Sequence, residues 1–427
     1  GAVAWIITEE NFMKDYSNIV SYLKLRGSVG KTGSQNLGAY DWRTLMGSAT
    51  YNGAAGIVPS SLGNDILQWE EQIQKEVGLD YGFWDDRIRG TLGYYQKKVD
   101  NLLYSDPVPT SSSFSSVYQN IGSLKNRGIE FDVRVDIIKN APKDLTWNVD
   151  FNIARNRTTL EKLNSSDGYF GGGAYDYFKI EEGGETGRFY GYKDAGRLFM
   201  TNEELVGLKT IDPKTGTLKY YRDDYNYERQ GDVYIMDLDG DGQITADGDR
   251  TVIGNANPDF FGGFGSTLYW KGLMLNAVFS YSVGGDRFWD EEKNSSGDMN
   301  VYNTSNRILD SWTVNPGVNA SYPRAMYYGW GSNSIITDRY IHDASYLRMT
   351  ALNLSYRLPK HLYKNSILNA VEFTFQATNL FTWTKYPGMD PQGNFSTTYS
   401  AFYNMGIDYS TYPSARTYNF GIKLTLK

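Results

Sequence analysis

Residues 129–137 read IEFDVRVDI, and the pattern alternates without a break. Ile129, Phe131, Val133, Val135 and Ile137 are apolar, and Glu130, Asp132, Arg134 and Asp136 between them are charged. Residues 145–153 (LTWNVDFNI) repeat it: Leu145, Trp147, Val149, Phe151 and Ile153 alternate with Thr146, Asn148, Asp150 and Asn152. A period of two belongs to a β-strand with one apolar and one polar face. In a chain that is 40% apolar, such a nine-residue match arises by chance in about one window per thousand. Two in succession, joined by the turn residues 139–144, read as a hairpin.

Working outward, segments 1–8, 20–31, 66–82, 87–104, 260–270, 272–284, 340–358, 369–383 and 414–427 read as strands too, about eleven in all. Several exceed the roughly 9–11 residues that cross a bilayer at a tilt. Short turns fall near 9–19, 83–86, 139–144, 271 and 359–368, and long connections at 32–65, 105–122, 157–259, 285–339 and 384–413. Short and long alternate throughout. A soluble β-sandwich has no reason for that, whereas an outer-membrane barrel has short periplasmic turns and long extracellular loops. The expected fold is therefore all-β, a transmembrane antiparallel β-barrel. The last long loop precedes the last strand, which puts the C-terminus on the periplasmic side. Complete bacterial barrels have even strand numbers, so an odd count and a start already in strand suggest part of a larger barrel.

Composition narrows the function. The net charge of −7 gives no basic surface for nucleic acid. Cysteine is absent, and the two histidines, His342 and His361, are far apart, so thiolate, zinc and His-based catalytic chemistry have little to work with. Glycine (45) and tyrosine (35) are abundant, which suits strands, turns and interface belts. No apolar run is long enough for a transmembrane helix. The negative mean hydropathy is compatible with a barrel, whose strands show lipid only every second residue. In that reading Lys24, Arg26, Arg89, Glu130, Asp132 and Arg134 face a wet lumen. Leu23, Leu25, Val29, Trp147, Phe151, Phe373, Phe375, Phe420, Ile422 and Leu424 form a continuous lipid-facing belt.

Several blocks, in order, resemble the SusC/RagA-like family of TonB-dependent outer-membrane transporters. They are LKLRGSVGKTGSQNLGAY (23–40), the W-E…Q…G-L-D-Y-G-F core and D-R-I-R-G-T-L-G-Y-Y-Q-K-K strand within 69–104, and IGSLKNRGIE (121–130). RILDSWT (307–313), YPR (322–324), DRYIHDASYLR (338–348), NLFTWTKYPGMDP (379–391) and YPSARTYNF (412–420) complete the series. The resemblance covers essentially the whole chain. It implies that residues 1–427 are the C-terminal portion of the barrel, about 11 strands of 22, with the plug domain and early strands outside this chain. It also implies a SusD-like surface lipoprotein as a lid, energy from the TonB–ExbB–ExbD complex, and oligosaccharides, or else peptides, as cargo. The final strand of such barrels usually ends on an aromatic, whereas this one ends Leu426, Lys427. The competing readings are a TonB-dependent siderophore or cobalamin receptor, a non-transport barrel acting as adhesin or enzyme, and a soluble calcium-binding β module.

The sharpest local motif is DLDGDGQITADGD (237–249). Asp237, Asp239 and Asp241 occupy positions 1, 3 and 5 of a calcium loop, with Gly242 at position 6 for the tight turn and the Gln243 carbonyl at position 7. Position 12 is Gly248, so Asp249 would have to supply the last ligand through a one-residue insertion. The expected cofactor is a structural Ca²⁺ or Mg²⁺. The alternative is an Asp/Gly turn closed by side-chain-to-backbone hydrogen bonds. Family relatives often carry a similar loop followed by a segment like IGNANPD (253–259). Among the many loop aromatics, Trp289, Trp312, Tyr327, Tyr328 and Trp330 are candidate platforms for sugar C–H faces, the alternative being interface anchoring and loop packing. The adjacent pairs Asp85, Asp86 and Asp223, Asp224 offer no glycosidase geometry, which needs carboxyls roughly 5–10 Å apart across a cleft. No catalytic residues are expected.

Overall fold

In the computed structural model the described residues are 1–34, 37–141, 144–164, 169–171, 177–201, 204, 210–211, 218–219, 230–242, 244–297, 304–325, 333, 335–364, 367–393, 405–409 and 411–426. One antiparallel sheet of eleven strands dominates. Its strands are β1 (Ala2–Ile6), β2 (Val20–Ser34), β3 (Glu70–Phe83), β4 (Ile88–Asp100), β5 (Gly122–Ala141), β6 (Leu145–Leu163), β7 (Phe260–Trp270), β8 (Leu273–Val283), β9 (Tyr346–Arg357), β10 (Leu368–Thr384) and β11 (Thr417–Leu426). Each pairs with its neighbour in sequence, so the sheet is a pure meander, open at β1 and β11 among the described residues. The connections are 7–19, 84–87, 142–144, 271–272 and 358–367 at one end, and 35–69, 101–121, 164–259, 284–345 and 385–416 at the other. The sequence-derived alternation of short and long therefore holds. Boundaries differ most for β5 and β6, which run well beyond the two nine-residue runs, and for 340–358, whose first part, Ile341–Asp343, belongs to a separate small sheet.

Register turns the alternation of single strands into a property of the whole sheet. Opposed residues run Trp5–Leu25–Leu79–Leu92–Phe131–Ile153–Gly262–Tyr281–Leu347–Trp383, one from each of β1 to β10, and none is polar except the Tyr281 hydroxyl. One residue along, the row is Lys24–Asp80–Thr91–Asp132–Asn152–Gly263–Ser280–Arg348–Thr382, without an apolar side chain. The next is apolar again: Leu23–Tyr81–Gly90–Val133–Phe151–Phe264–Phe279–Met349–Phe381. On β6 the apolar phase lasts from Leu145 to Ile153, and Arg155 follows it. The eight steps between Leu145 and Ile153, at about 3.4 Å each and a tilt of about 40°, span roughly 21 Å, close to the ~25 Å apolar band of an outer-membrane barrel.

Among the described residues, most of that apolar face is left uncovered. Leu25 is 40% exposed, Leu92 41%, Trp383 52% and Phe420 81%. Of the fully buried apolar residues described, only Leu124, Leu160, Val371 and Ala377 lie on the eleven strands. A soluble sheet would bury this face against a second layer.

Local chemistry keeps the strands in step. Lys271 (φ 48°) and Gly272 (φ 86°) close a two-residue hairpin between Trp270 and Leu273, the turn whose twist matches antiparallel strands. Gly272 is required there, because a Cβ would also lie 2.7 Å from the Arg357 carbonyl oxygen. Two glycines within strands serve a different purpose. Tyr81 lies across Gly90, its partner on β4, and donates to the Asp132 carbonyl on β5 at 2.9 Å. Tyr281 does the same across Gly262, reaching the Asn152 carbonyl at 2.8 Å. Each tyrosine thus links three strands. Period two alone misses one feature of β9: the register shifts between Met349 and Ala351. Thr350 is the bulged residue, and its hydroxyl donates to the Val278 carbonyl at 3.1 Å. The apolar phase passes from Leu347 and Met349 to Leu352, Leu354 and Tyr356 and stays on one face.

The long connections are not mere loops. Asp286–Trp289 pairs antiparallel with Ile341–Asp343 and parallel with Ile407–Asp408, joining the β8–β9 and β10–β11 connections. Within the β6–β7 connection, Arg188–Tyr192 pairs with Arg250–Asn255 and Asp194–Leu198 with Val233–Ile235. Phe178, Phe189, Ala256, Phe288, Ile336, Tyr340 and Ile407, drawn from all three connections, form one buried cluster. Leu198, Phe199, Val233, Ile235 and Ile244 form another. The protein's packed apolar core is here, at one end of the sheet. The connection 101–121, read from sequence as a long loop, contains a 3₁₀ turn (Thr110–Ser112) and a strand (Ser116–Asn120).

The rows predict opposite fates for neighbouring positions on β4. Leu92→Lys in the full-length protein, refolded into lipid vesicles, is expected to lose about 2–4 kcal/mol in denaturant unfolding. Thr91→Lys, between Asp80 and Asp132 on the polar face, is expected to lose less than about 1 kcal/mol. Equal losses would contradict the facing.

Candidate functional site

The polar face is a lattice of opposed charges. Lys24 sits 3.4 Å from Asp80, and Arg26 bridges Asp80 (3.2 Å) and Glu76. Arg89 pairs with Asp136 at 3.1 Å, with Arg134 3.9 Å from the same carboxylate. Thr91 donates to Asp132. On the opposite face, past the apolar band, Lys98 and Lys125 both reach Glu161, at 3.5 and 3.0 Å. These pairs are partly exposed and worth little individually. The pairs around Asp80, Asp132 and Asp136 make the polar face wettable and ordered.

Where this face meets the long connections, the charges become buried and specific. Arg348, on the polar row of β9, binds Asp390 at 2.6 Å, Gln392 at 2.6 Å and Thr382 at 3.0 Å. Burial pushes the Asp390 carboxyl up, but Arg348 and the N–H groups of Gln392 and Ser414 pull it further, to below the usual carboxylate range. Arg324 grips Asp232 at 2.6 Å, and Asn333 donates to the same carboxylate at 2.8 Å. Arg339 binds Asp194 at 2.7 Å; here burial prevails and the carboxyl titrates above its usual range. Buried Glu292 accepts from Arg307 (2.6 Å) and Tyr322 (3.2 Å) and lies 2.5 Å from His342 Nε2. Asp290 accepts from Tyr177 at 2.6 Å and pairs with Lys293 at 3.0 Å. Sequence reading overlooked these groups, although Arg307, Arg324, Arg339, His342, Arg348 and Asp390 all lie in the blocks quoted above. Removing one partner of such a pair strands a buried charge and typically costs 3–5 kcal/mol.

In the Asp-rich loop, ligand oxygens of Asp237, Asp239 and Asp249 lie within 4.8 Å of one another. Asp241 is outside that trio, and its N–H donates to Asp239 at 3.1 Å. Gln243 lies outside the described residues. Asp237 accepts from the N–H groups of Gly240 (2.7 Å) and Gly242 (2.8 Å), the latter at φ 81°. Fully buried Asp249 accepts from Leu238 and Thr245, both at 2.7 Å. The Asp241 N–H pulls the Asp239 carboxyl down, but desolvation, the neighbouring charges of Asp241 and Asp249 and the bond to Asp237 together push it up further.

The aromatic candidates divide. Trp289 is half-buried, capped by the Arg307 guanidinium at 4.5 Å and flanked by His342 (5.9 Å) and Tyr386 (6.1 Å). Trp312 packs on Gly231 (φ 85°) and against the Leu198–Phe199–Val233 cluster. Both are tied into loop packing. Tyr327, Tyr328 and Trp330 lie outside the described residues.

Comparison with known proteins agrees with this architecture. Residues 11–325 match the family described as TonB dependent receptor-like, beta-barrel. TonB-dependent receptor P3 of Formosa agariphila is 33% identical over 446 aligned positions, covering 99% of this chain and 41% of that protein. TonB-dependent receptor SusC of Bacteroides thetaiotaomicron is 30% identical, with 99% of this chain and 39% of that protein covered. A solved structure of the RagAB peptide transporter superposes with a TM-score of 0.74 at 27% identity, over 99% of this chain and 43% of that one. The chain thus spans about two fifths of the length of its relatives, which are receptors rather than enzymes. An eleven-stranded meander with one uncovered apolar face, loops packed at one end and relatives of this kind place the chain in the TonB-dependent receptor β-barrel family, as a SusC/RagA-like barrel portion.

Proposed function

We propose that this chain is part of the barrel of an outer-membrane active importer of large nutrients, oligosaccharides first and peptides second. The observation that carries the reading is the strict alternation of apolar and polar rows across the sheet. The apolar face suits lipid, and the polar face suits the lining of a wet passage. The interlocked long connections form the extracellular mouth, which puts the short turns and the C-terminus in the periplasm. Open edges at β1 and β11 are untenable in hydrocarbon, so further strands complete the barrel. A TonB–ExbB–ExbD complex supplies the energy. A SusD-like lipoprotein covers the mouth, where the ordered loops offer it a firm seat. The RagAB structure is described as a peptide transporter, which keeps peptides beside oligosaccharides as cargo.

The Asp237–Asp239–Asp249 trio fits a divalent cation that stiffens this mouth. Calcium binds oxygens at 2.3–2.6 Å, so ligands across one ion stand up to about 5 Å apart, matching the spacing of the three carboxylates. Magnesium demands a tighter shell. The ion's role is structural. The backbone hydrogen bonds to Asp237 and Asp249 form with or without it, so geometry alone leaves the ion-free Asp/Gly turn as the competing reading.

Deleting the gene for the full-length protein is expected to abolish TonB-dependent uptake of labelled oligosaccharide or peptide mixtures by whole cells. Unchanged uptake of both would contradict import. For the loop, adding Ca²⁺ to chelator-treated full-length protein is expected to slow proteolysis within 230–250 severalfold, and Asp239→Asn to remove the effect. Rates indifferent to Ca²⁺ would leave the ion-free turn.

A further inference from the structure

A cavity of about 400 Å³ opens on the polar face where β7, β8 and β9 meet the long connections. Phe261, Ser280, Ser282 and Tyr346 of the polar rows form its floor, and Arg287, Pro391 and Gln392 overhang it. Its size lies within the roughly 300–1,000 Å³ of small-ligand sites. Arg287 is the unusual member. Among the described residues its Nε donates to the Pro391 carbonyl at 3.2 Å, and no carboxylate makes an ion pair with it. The nearby acids are engaged elsewhere: Asp390 by Arg348, and Asp408 by the Tyr386 hydroxyl (2.7 Å) and the Thr411 N–H (3.2 Å). Residues 394–404 (NFSTTYSAFYN), in the same connection, hold no acid. Burial drives the Arg287 guanidinium below its ordinary range, the more distant charges not making good the lost water. A second polar group of the cavity is also unsatisfied, for Ser280 Oγ is buried without a hydrogen-bond partner among the described residues.

A buried cation lacking an anion is costly and is normally paired. A guanidinium whose two Nη atoms meet no acceptor among the described residues presents the fork that binds carboxylates in bidentate fashion. We propose that Arg287, with Ser280, is an anchoring subsite in the lumen for a carboxylate group of the cargo. The proposal rests on the reading of the polar face as an import path, but the subsite itself is testable without transport. Two kinds of cargo carry that group, a uronic-acid sugar and a peptide C-terminus.

The test is calorimetric titration of the detergent-purified full-length protein with two matched pairs of probes. One pair is tri-galacturonic acid and its methyl ester, and the other is penta-alanine as free acid and as C-terminal amide. In at least one pair the acid is expected to bind at least about tenfold more tightly than its neutral form, and the responding pair identifies the source of the carboxylate. Arg287→Met is expected to bring that ratio to about one, and Arg287→Lys to retain part of it, which separates loss of the site from misfolding. An acid preference that survives Arg287→Met overturns the proposal, as does no acid preference in either pair. If the Arg287-dependent preference holds while gene deletion leaves uptake intact, the import reading fails and the subsite stands.

Discussion

Strand register is the constraint on which this structure depends. Side chains alternate along a strand, so a slip of one residue between two neighbours would send apolar groups of one into the polar rows of the other. No such slip interrupts the rows across ten strands. The Thr350 bulge shows the constraint operating, because the sequence itself changes phase there and the face does not. The result is a wide apolar surface over which the described residues place no second layer. Elsewhere in the molecule apolar side chains behave ordinarily: Phe178, Phe189 and Phe288 bury themselves among the loops. The same chain thus contains a conventional core and a sheet whose apolar side calls for a different solvent.

How much of this was legible in the sequence follows from the range of each interaction. Period two is local, and it located all eleven strands and the rhythm of their connections. The belt residues Leu25, Val29, Trp147, Phe151, Phe373, Phe420, Ile422 and Leu424 are exposed as that reading requires, with Leu23 and Phe375 half-buried beside them. The bulge escaped because one inserted residue looks like an imperfection in a pattern. The loop body escaped because its contacts join residues far apart in sequence, such as Phe288 and Ile407. For Trp289 and Trp312 the sequence left a sugar platform and loop packing open side by side, because only the fold brings Arg307 over one and Gly231 under the other. The Asp-rich run is itself local, so the sequence could single out Asp237, Asp239 and Asp249, while only the fold shows that Asp241 stays outside their cluster.

The quoted sequence blocks acquire a physical meaning in three dimensions. Arg348 and Asp390 belong to separate blocks and meet in a buried pair 2.6 Å long. Arg307 and His342, from two others, converge on Glu292. Asn255, in IGNANPD, donates its N–H to Asp286 at 2.8 Å, on the strand next to Arg287. These blocks are the fasteners that hold the β6–β7, β8–β9 and β10–β11 connections to one another and to the end of the sheet. A surface fastened in this way can keep a guanidinium such as Arg287 in place over a wet face, where a mobile loop could not.

The most direct test of the central claim is a spin-label scan along β4. The chain has no cysteine, so single cysteines introduced from residue 89 to residue 98 can each be labelled in the full-length protein reconstituted in lipid. Accessibility to oxygen, which concentrates in hydrocarbon, should alternate with a period of two and peak at Leu92 and Tyr94. Accessibility to a water-soluble nickel chelate should peak at the positions between them. Oxygen and nickel accessibilities without that alternation, or low values for both at Leu92 and Tyr94 as in a packed protein interior, would contradict a sheet whose apolar face meets lipid.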